Sequence, residues 1–366
     1  MHIDYNHSLL SLVSSILKHY KIDTAHPTLP EVDKLLKGNY KNVVVMLFDG
    51  MGTAILEKHL PPDSFLRSHF EATISSVFPP TTTAATVTME SGLSPIEHGW
   101  LGWSLYFDEV GENVNIFPNT ISGTEIPAAG FSVASQYIPH TDIFEKINKQ
   151  QGVAAYRVSP FSSYHSKSVS EICDTVKALC NEDGNKYIYT YWHQPDYDMH
   201  DYGTMHEKII GDIAEINCLV EDMCCELNDT LVIVTADHGL VDTEWRLLAD
   251  YPEIGECLLR KPSVESRALT FFIKEGQKEK FETVFQKYFG DIYSLFRKEQ
   301  VINNKFFGDG IPNERSYGFI GDYLAVATSN VSIESTQSDI NDLFKAAHAG
   351  MTVDELSVPL IAVKCK

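Results

Sequence analysis

Residues 43–50 read VVVMLFDG and residues 231–239 read LVIVTADHG, two apolar runs that each lead into an aspartate. Continuous apolar runs of this length, rich in β-branched residues, are typical of central strands that are covered on both faces. With these two included, strand-like runs lie at 42–48, 153–158, 186–192, 230–236, 268–273, 322–328 and 358–363. Helical patterns separate most of them, at about 82–92, 141–149, 165–181, 204–227 and 276–289. This alternation predicts an α/β fold with a mostly parallel central sheet and helices on both faces.

Two segments look like additions to that core. Residues 99–119, GWLGWSLYFDEVGENVNIFPN, are predicted to be extended, and their aromatic residues suit either the core of a hairpin or stacking on a base or sugar. We favour the core. Residues 240–346 hold strands and helices of their own. We therefore predict a catalytic α/β core of residues 1–239 and 347–366, with 240–346 as a smaller inserted cap-like region.

The composition excludes several functional classes. With 29 Lys+Arg against 50 Asp+Glu, the net charge is −21, which disfavours binding to nucleic acid. No apolar run approaches the roughly 20 residues needed to cross a bilayer, so no membrane partner is expected. The apolar residues between 9 and 17 predict an amphipathic helix rather than a secretory signal. Seven cysteines without a CxxC pair predict reduced thiols and a cytoplasmic location. The pattern gives no indication of the oligomeric state.

Acidic residues follow three of the predicted strands. Asp49, Asp196 and Asp237 lie at or just after strand ends, and the carboxyl ends of parallel strands share one edge of the sheet. Histidines accompany them in the sequence: His200, His238 and His348. Taken singly, a strand-end Asp is as often a helix cap, and an isolated histidine is more often a loop residue. Together, carboxylates and imidazoles are suitable ligands for two divalent cations.

Five motifs carry a family resemblance. LFDGMG (47–52), FPPTTTAATVTMESGLSPIEHG (78–99), QPDYDMH (194–200), TADHG (235–239) and HAGMT (348–352) resemble the alkaline phosphatase superfamily, and within it the type I phosphodiesterase/nucleotide pyrophosphatase family. The resemblance implies that one metal ion is bound by Asp196, His200 and His348. It implies that a second is bound by Asp49, Asp237 and His238. Thr82 would be the nucleophile, would bridge toward the second metal, and would form a covalent phospho-threonine intermediate.

The choice of Thr82 depends on motif registration. Aligning the chain on Gly92-Leu93 and His98-Gly99 selects Thr82, with Thr81 and Thr83 as the alternatives. A threonine hydroxyl is a poor nucleophile at neutral pH and requires a base or a metal to activate it. Residue 82 also opens a helical pattern, and backbone N–H groups at a helix N-terminus favour phosphate oxygens.

One position departs from the family pattern. Trp103 aligns with an Asn that donates a hydrogen bond to phosphate in many nucleotide pyrophosphatases. The charge stabilisation must come from elsewhere, and the candidates are a backbone N–H at Gly50 or Thr82, or the metals alone.

These observations predict a hydrolase that cleaves a phosphodiester or phosphoanhydride with two divalent ions. Zn²⁺ is the first expectation and Mn²⁺ is compatible with the same ligands. The expected partner is a small phosphorylated substrate, for which a nucleotide is one candidate. Alternatives within the superfamily are a phosphonoacetate hydrolase, a phosphomonoesterase and a phosphomutase. Outside it, a non-catalytic metal- or phosphate-binding protein and a partner-binding role for 240–346 remain open.

Overall fold

The computed structural model describes residues 3–335 and 343–366. Its central sheet has six strands, in the order β2 (Phe70–Ser75), β17 (Ser357–Cys365), β8 (Thr230–Thr235), β1 (Asn42–Phe48), β7 (Asn185–Trp192) and β6 (Val153–Val158). The last four are mutually parallel, and β17 runs antiparallel to both of its neighbours. Strands β1 and β8 are buried along their whole length, as their apolar sequences predict.

Helices flank this sheet. The helices are α1 (Leu9–His19), α2 (Pro30–Leu36), α3 (Thr53–His59), α4 (Phe65–Ser68), α5 (Thr82–Ser91), α6 (Pro95–His98), α7 (Val133–Tyr137), α8 (Ile143–Asn148), α9 (Val169–Asn181), α10 (Asp196–Tyr202), α11 (Glu207–Glu226), α12 (Pro252–Gly255), α13 (Lys278–Phe289), α14 (Lys298–Asn303), α15 (Ser316–Phe319) and α16 (Val353–Leu356), with a 3₁₀ turn at Leu248–Asp250. Helices α1, α5 and α8 pack as one group, and α3, α9 and α11 as another. The predicted α/β class, with its mostly parallel sheet between helices, is confirmed.

A second sheet contains seven strands. Their order is β13 (Tyr293–Arg297), β14 (Tyr323–Ala327), β12 (Ala268–Phe271), β11 (Ser263–Glu265), β3 (Ser104–Phe107), β4 (Glu112–Asn115) and β5 (Thr120–Ile121). The described residues also form two short two-stranded sheets, β10 (Glu244–Leu247) with β15 (Val331–Glu334) and β9 (Val241–Asp242) with β16 (Ala346–Ala347). The second sheet joins the aromatic segment at 99–119 to the 240–346 region through the pairing of Val264 with Ser104. The two predicted additions therefore form one structural layer, and the proposed boundaries remain a prediction.

The apolar core is divided in the same way. One cluster lies around the central sheet, and two smaller ones cover the faces of the second sheet. Trp100 and Phe107 are buried in one of these smaller clusters, whereas Trp103 is 41% exposed. Helix α1 buries its apolar residues against the central cluster, as its periodicity predicts. Within the described ranges, no helix is both long and apolar enough to cross a bilayer.

Candidate metal and catalytic site

The loops after β1 and β7 are joined at the carboxyl edge of the central sheet. The backbone N–H of Asp49 donates to the Trp192 carbonyl (2.9 Å), and the N–H of Asp196 donates to the Asp49 carbonyl (3.0 Å). Gly50 has a φ of +72°, and a Cβ there would lie 2.8 Å from the Cβ of Asp196. Only glycine tolerates both conditions, so this residue allows the two aspartates to approach each other.

One group of side chains consists of Asp49, Asp237 and His238, all of them buried. The His238 Nε2 atom lies 3.3 Å from Asp49 Oδ1 and 3.6 Å from Asp237 Oδ2. The second oxygen of Asp237 accepts hydrogen bonds from the backbone N–H groups of Gly50 (3.0 Å) and His238 (2.9 Å). Asp237 is thus held by its own loop, with one oxygen left toward the other two side chains.

The second group surrounds Asp196. Its Oδ2 lies 3.3 Å from His200 Nε2, and its Oδ1 lies 3.9 Å from His348 Nε2. His238 also lies within reach, because one ligand atom from each of Asp196, His238 and His348 fits within 4.8 Å of the others. The rings of His238 and His348 are stacked, with centroids 3.8 Å apart. His238 therefore lies between the two groups.

The three histidines make the same kind of hydrogen bond to the backbone. The Nδ1 atom of each lies near a backbone carbonyl: His200 with Ala346 (2.7 Å), His348 with Pro80 (3.2 Å) and His238 with Gly239 (3.2 Å). A carbonyl oxygen can only accept, so Nδ1 carries the proton and Nε2 keeps its lone pair. Outer hydrogen bonds of this kind fix the ring and the tautomer of metal-binding histidines.

The residues fit divalent cations. One oxygen of each aspartate, Asp49 Oδ1, Asp196 Oδ1 and Asp237 Oδ2, is buried without a hydrogen-bond partner in the described part of the chain. A buried carboxylate oxygen without a partner is costly, and coordination of a cation compensates that cost. Three unpaired oxygens beside three imidazole lone pairs therefore form a donor set that suits divalent cations.

Burial and neighbouring charges shift the pKa values of the three aspartates and of His348. Burial, together with the charges of Asp237 and Asp196, raises the pKa of Asp49 well above its ordinary value. Burial likewise raises the pKa of Asp237, against the charge of His238. Burial opposes ionisation of Asp196 too, but its interaction with His200 lowers its pKa. Burial and the neighbouring His238 lower the pKa of His348 well below its usual range.

Thr82 lies beside the first group. Its hydroxyl is 3.4 Å from Asp49 Oδ2 and 3.3 Å from His238 Nε2. The neighbouring threonines point elsewhere, since the Thr81 hydroxyl donates to Glu265 and that of Thr83 is buried without a partner among the described residues. Thr82 is also the first residue of α5, and the N-terminus of this helix has no side-chain cap. Its first N–H groups therefore remain available to an anion.

Two residues of the site, Tyr191 and Glu265, were not predicted from sequence. The Tyr191 hydroxyl donates to Asp49 Oδ2 at 2.5 Å, and Glu265 accepts from Thr81 and from the Trp103 N–H. The alternation of Tyr187, Tyr189 and Tyr191 in β7 could have indicated one face of a strand, but nothing in the sequence distinguishes Glu265. The Gly50 N–H, one suggested donor to phosphate, is occupied by Asp237.

A cavity of about 550 Å³ opens over the site. Its floor includes Thr82, Asp196, His200 and His348. Its walls come from the second sheet and its neighbours and are lined by Trp103, Ser104, Asn115, Tyr197, Trp245, Ser263, Glu265, Ser266, Glu334 and Phe344, among others. This volume suits a small organic ligand.

An α/β sheet that collects buried Asp and His side chains and a helix-opening threonine at its carboxyl edge is the arrangement of the alkaline phosphatase superfamily. Within it the chain belongs to the type I phosphodiesterase/nucleotide pyrophosphatase family, whose model matches residues 43–350. No curated protein sequence matches the chain.

Solved structures share this fold. Murine ectonucleotide pyrophosphatase/phosphodiesterase 5 is 17% identical, with a TM-score of 0.66 over 88% of both chains. The human protein of the same name is 15% identical, with a TM-score of 0.66 over 88% of this chain and 87% of that one. Phosphonoacetate hydrolase from Sinorhizobium meliloti, in complex with phosphonoacetate, is 15% identical, with a TM-score of 0.63 over 88% and 89%. An inactive variant of the murine protein is in complex with AMP.

Proposed function

We propose that this hydrolase of phosphoester bonds is a two-metal phosphodiesterase that works through a covalent intermediate on Thr82. The observation that carries the proposal is the position of the Thr82 hydroxyl, 3.4 Å from Asp49 and 3.3 Å from His238. A threonine nucleophile needs a metal or a base beside it to promote loss of its proton, and of the three adjacent threonines only Thr82 contacts the candidate metal ligands, since Thr81 donates to Glu265.

The ligands divide into two sets, as the family resemblance implies. Asp196, His200 and His348 would hold one ion, and Asp49, Asp237 and His238 the other. When bound, the two cations would lower the pKa of the Thr82 hydroxyl and offset negative charge on the phosphoryl oxygens. Zn²⁺ is the ion we propose, because mixed imidazole and carboxylate ligands suit it.

The chain's own residues supply the rest of the chemistry. Asp49 accepts the hydrogen bond of Thr82 and so orients its oxygen toward the cavity. The Thr82 hydroxyl gives its proton to solvent as its oxygen bonds to phosphorus. The bond to the departing alkoxide breaks, and that alkoxide takes a proton from water and leaves as an alcohol. Water then cleaves the phospho-threonine bond and restores the hydroxyl. We expect the uncapped N–H groups at the start of α5 to interact with the phosphoryl oxygens and so to replace the donor that is missing at Trp103.

The decisive experiment replaces Thr82 by Ala and, as the matched control, Thr83 by Ala. With bis-p-nitrophenyl phosphate as substrate, we expect Thr82→Ala to lose turnover by at least about a thousandfold while metal content stays near that of the parent protein. Thr83→Ala removes a hydroxyl from the next residue and should retain turnover. Near-normal activity in Thr82→Ala would refute the covalent mechanism.

A second candidate is phosphonoacetate hydrolase, because a protein of that activity shares the fold. Comparing bis-p-nitrophenyl phosphate, p-nitrophenyl phosphate and phosphonoacetate on the same preparation separates the candidates. A preference for phosphonoacetate or for the monoester would replace the diesterase assignment. If metal-loaded protein hydrolyses none of the three substrates, the result would favour a non-catalytic metal-binding role.

We also propose a cytoplasmic location, which the seven unpaired cysteines support and cell fractionation would test.

A further inference from the structure

The cavity above the site has an unusual wall for a protein that binds phosphate esters. Among the described residues that line it, none is Lys or Arg. The segment 336–342, TQSDIND, contains neither residue type in its sequence. The wall instead carries the carboxyl group of Glu265, on a chain whose net charge is −21. An anionic ester group would meet no compensating cation there, apart from metal at the floor.

Glu265 is held in a defined position. Its Oε1 accepts two hydrogen bonds, from the Thr81 hydroxyl at 2.6 Å and from the Trp103 N–H at 2.7 Å. Its Oε2 makes no hydrogen bond to the described residues and remains for a ligand. Thr81 adjoins Thr82 in the chain, so this carboxyl group is hydrogen-bonded to the residue next to the proposed nucleophile.

The backbone before Glu265 is strained. Val264 has a φ of +80°, which is rare for a β-branched residue. The neighbouring chain accommodates it only through Gly102, where a Cβ would lie 2.7 Å from Val264 Cγ1. Strain of this kind is retained at functional sites when the side chain must point in one direction. Here it accompanies the placement of Glu265 in the cavity wall.

Aromatic rings line the same cavity. Trp103, Trp245, Tyr197 and Phe344 contribute to it, and Trp103 and Phe344 are 41% and 50% exposed. The Trp245 indole N–H donates to the Phe344 carbonyl at 2.5 Å, which joins two of these residues. Aromatic faces beside a carboxylate are the groups that recognise quaternary or primary ammonium ions.

We propose that the cavity selects phosphodiesters in which one ester group is a cationic amino alcohol, with Glu265 as the residue that determines this specificity. The inference rests on the proposed diesterase function and specifies its substrate class. An ammonium group would interact with Glu265 Oε2 and the aromatic rings, while the phosphate occupies the floor beside Thr82. Ester groups that carry a carboxylate or a further phosphate would be repelled.

The test uses three p-nitrophenyl diesters with the same leaving group and different second esters. These are choline, its uncharged isostere 3,3-dimethylbutanol, and the anionic 3-hydroxypropionate. For zinc-loaded protein we expect kcat/KM for the choline ester to exceed that for the isostere by about tenfold, with the anionic ester slowest. In Glu265→Gln, whose amide oxygen can still accept from Thr81 and Trp103, this ratio should fall close to one. Glu275→Gln, at an exposed position outside the cavity, is the control and should keep the ratio of the parent protein.

Equal or inverted preference in the parent protein would overturn the substrate class, and a preference that survives Glu265→Gln would overturn the role of Glu265. If no diester is hydrolysed, the proposed function fails, and a binding measurement still decides the inference. Trp103 and Trp245 provide a fluorescence signal for titration with phosphocholine and with 3,3-dimethylbutyl phosphate. Tighter binding of phosphocholine by about tenfold, lost in Glu265→Gln, would support the inference without turnover. Equal binding would refute it.

Discussion

Arg267 and Glu355 form a fully buried, bidentate ion pair that connects the second sheet to the segment carrying His348. Arg267 Nε lies 2.6 Å from Glu355 Oε1, and Nη2 lies 2.9 Å from Oε2. Glu355 also accepts from the Gly350 N–H at 2.7 Å and the Thr352 hydroxyl at 2.6 Å. One carboxylate thus holds the 348–352 turn at its middle and at its C-terminal end, so we expect the position of His348 to depend on an arginine of the second sheet.

Replacing Glu355 by Ala should destabilise the protein by about 3–5 kcal/mol, because it leaves Arg267 charged, buried and unpaired. Urea unfolding measures this change. Glu109→Ala provides the matched control, since Glu109 pairs with Arg315 at the surface and its loss should cost under about 1 kcal/mol. Replacing both partners, Arg267→Met with Glu355→Leu, should recover much of the stability. The recovered double variant should still bind less metal, because the 348–352 turn has lost its hydrogen-bond acceptor; normal metal content would contradict this role.

Gly239 lies near the site at a position where the neighbouring backbone leaves no room for a side chain. A Cβ at this residue would lie 2.1 Å from the Asp354 carbonyl oxygen, with Gly52 Cα behind it. Gly239→Ala should therefore displace the Asp237-His238 segment, lower stability by about 2 kcal/mol or more, and reduce metal affinity. Gly211→Ala is the comparison, because Gly211 lies within α11 with open space at its Cβ, and should gain about 0.5–1 kcal/mol. Differential scanning calorimetry with zinc titration reports both effects, and equal behaviour of the two variants would count against the packing argument.

The effect of Asp49→Asn on stability should depend on whether metal is bound. In metal-free protein at pH 8, Asp49→Asn relieves repulsion among three buried carboxylates and should raise stability by about 1 kcal/mol. In zinc-loaded protein the same change removes a ligand, so the variant should gain less from the ion than the parent protein does. Thermal unfolding with a chelator and then with excess zinc gives both numbers. An equal gain from zinc in the two proteins would remove Asp49 from the ligand set.

The convergence of Asp49 and Asp237 was predictable because both follow long apolar strands, and neighbouring parallel strands end at one edge of a sheet. His348 was predictable only through its motif, since its place depends on the distant Arg267–Glu355 pair. The second sheet was not predicted as one unit, because the pairing of Val264 with Ser104 joins segments 160 residues apart and leaves no local pattern. Glu265 could not be predicted for the same reason, because its partners Thr81 and Trp103 are distant from it in the sequence and contact it only in the folded chain.

Glu90 should give the protein a pH-dependent stability that is separate from the metal site. It lies in α5 with its carboxylate 2.8 Å from Arg157 Nη2, and burial raises its pKa from 4.5 to about 7 in spite of that partner. The folded state therefore holds the proton more tightly than the unfolded state does. The resulting stabilisation is complete below pH 4.5 and is lost as the pH rises to about 7. Since Glu90→Gln cannot ionise, the unfolding free energy of the parent protein relative to this variant should fall by about 2 kcal/mol between pH 4.5 and 8, as measured by urea unfolding. Val87→Ala, in the same helix and without an ionisable group, should show a constant difference from the parent protein. A difference for Glu90→Gln that stays constant, or that grows with pH, would mean that Arg157 keeps Glu90 ionised in the folded protein.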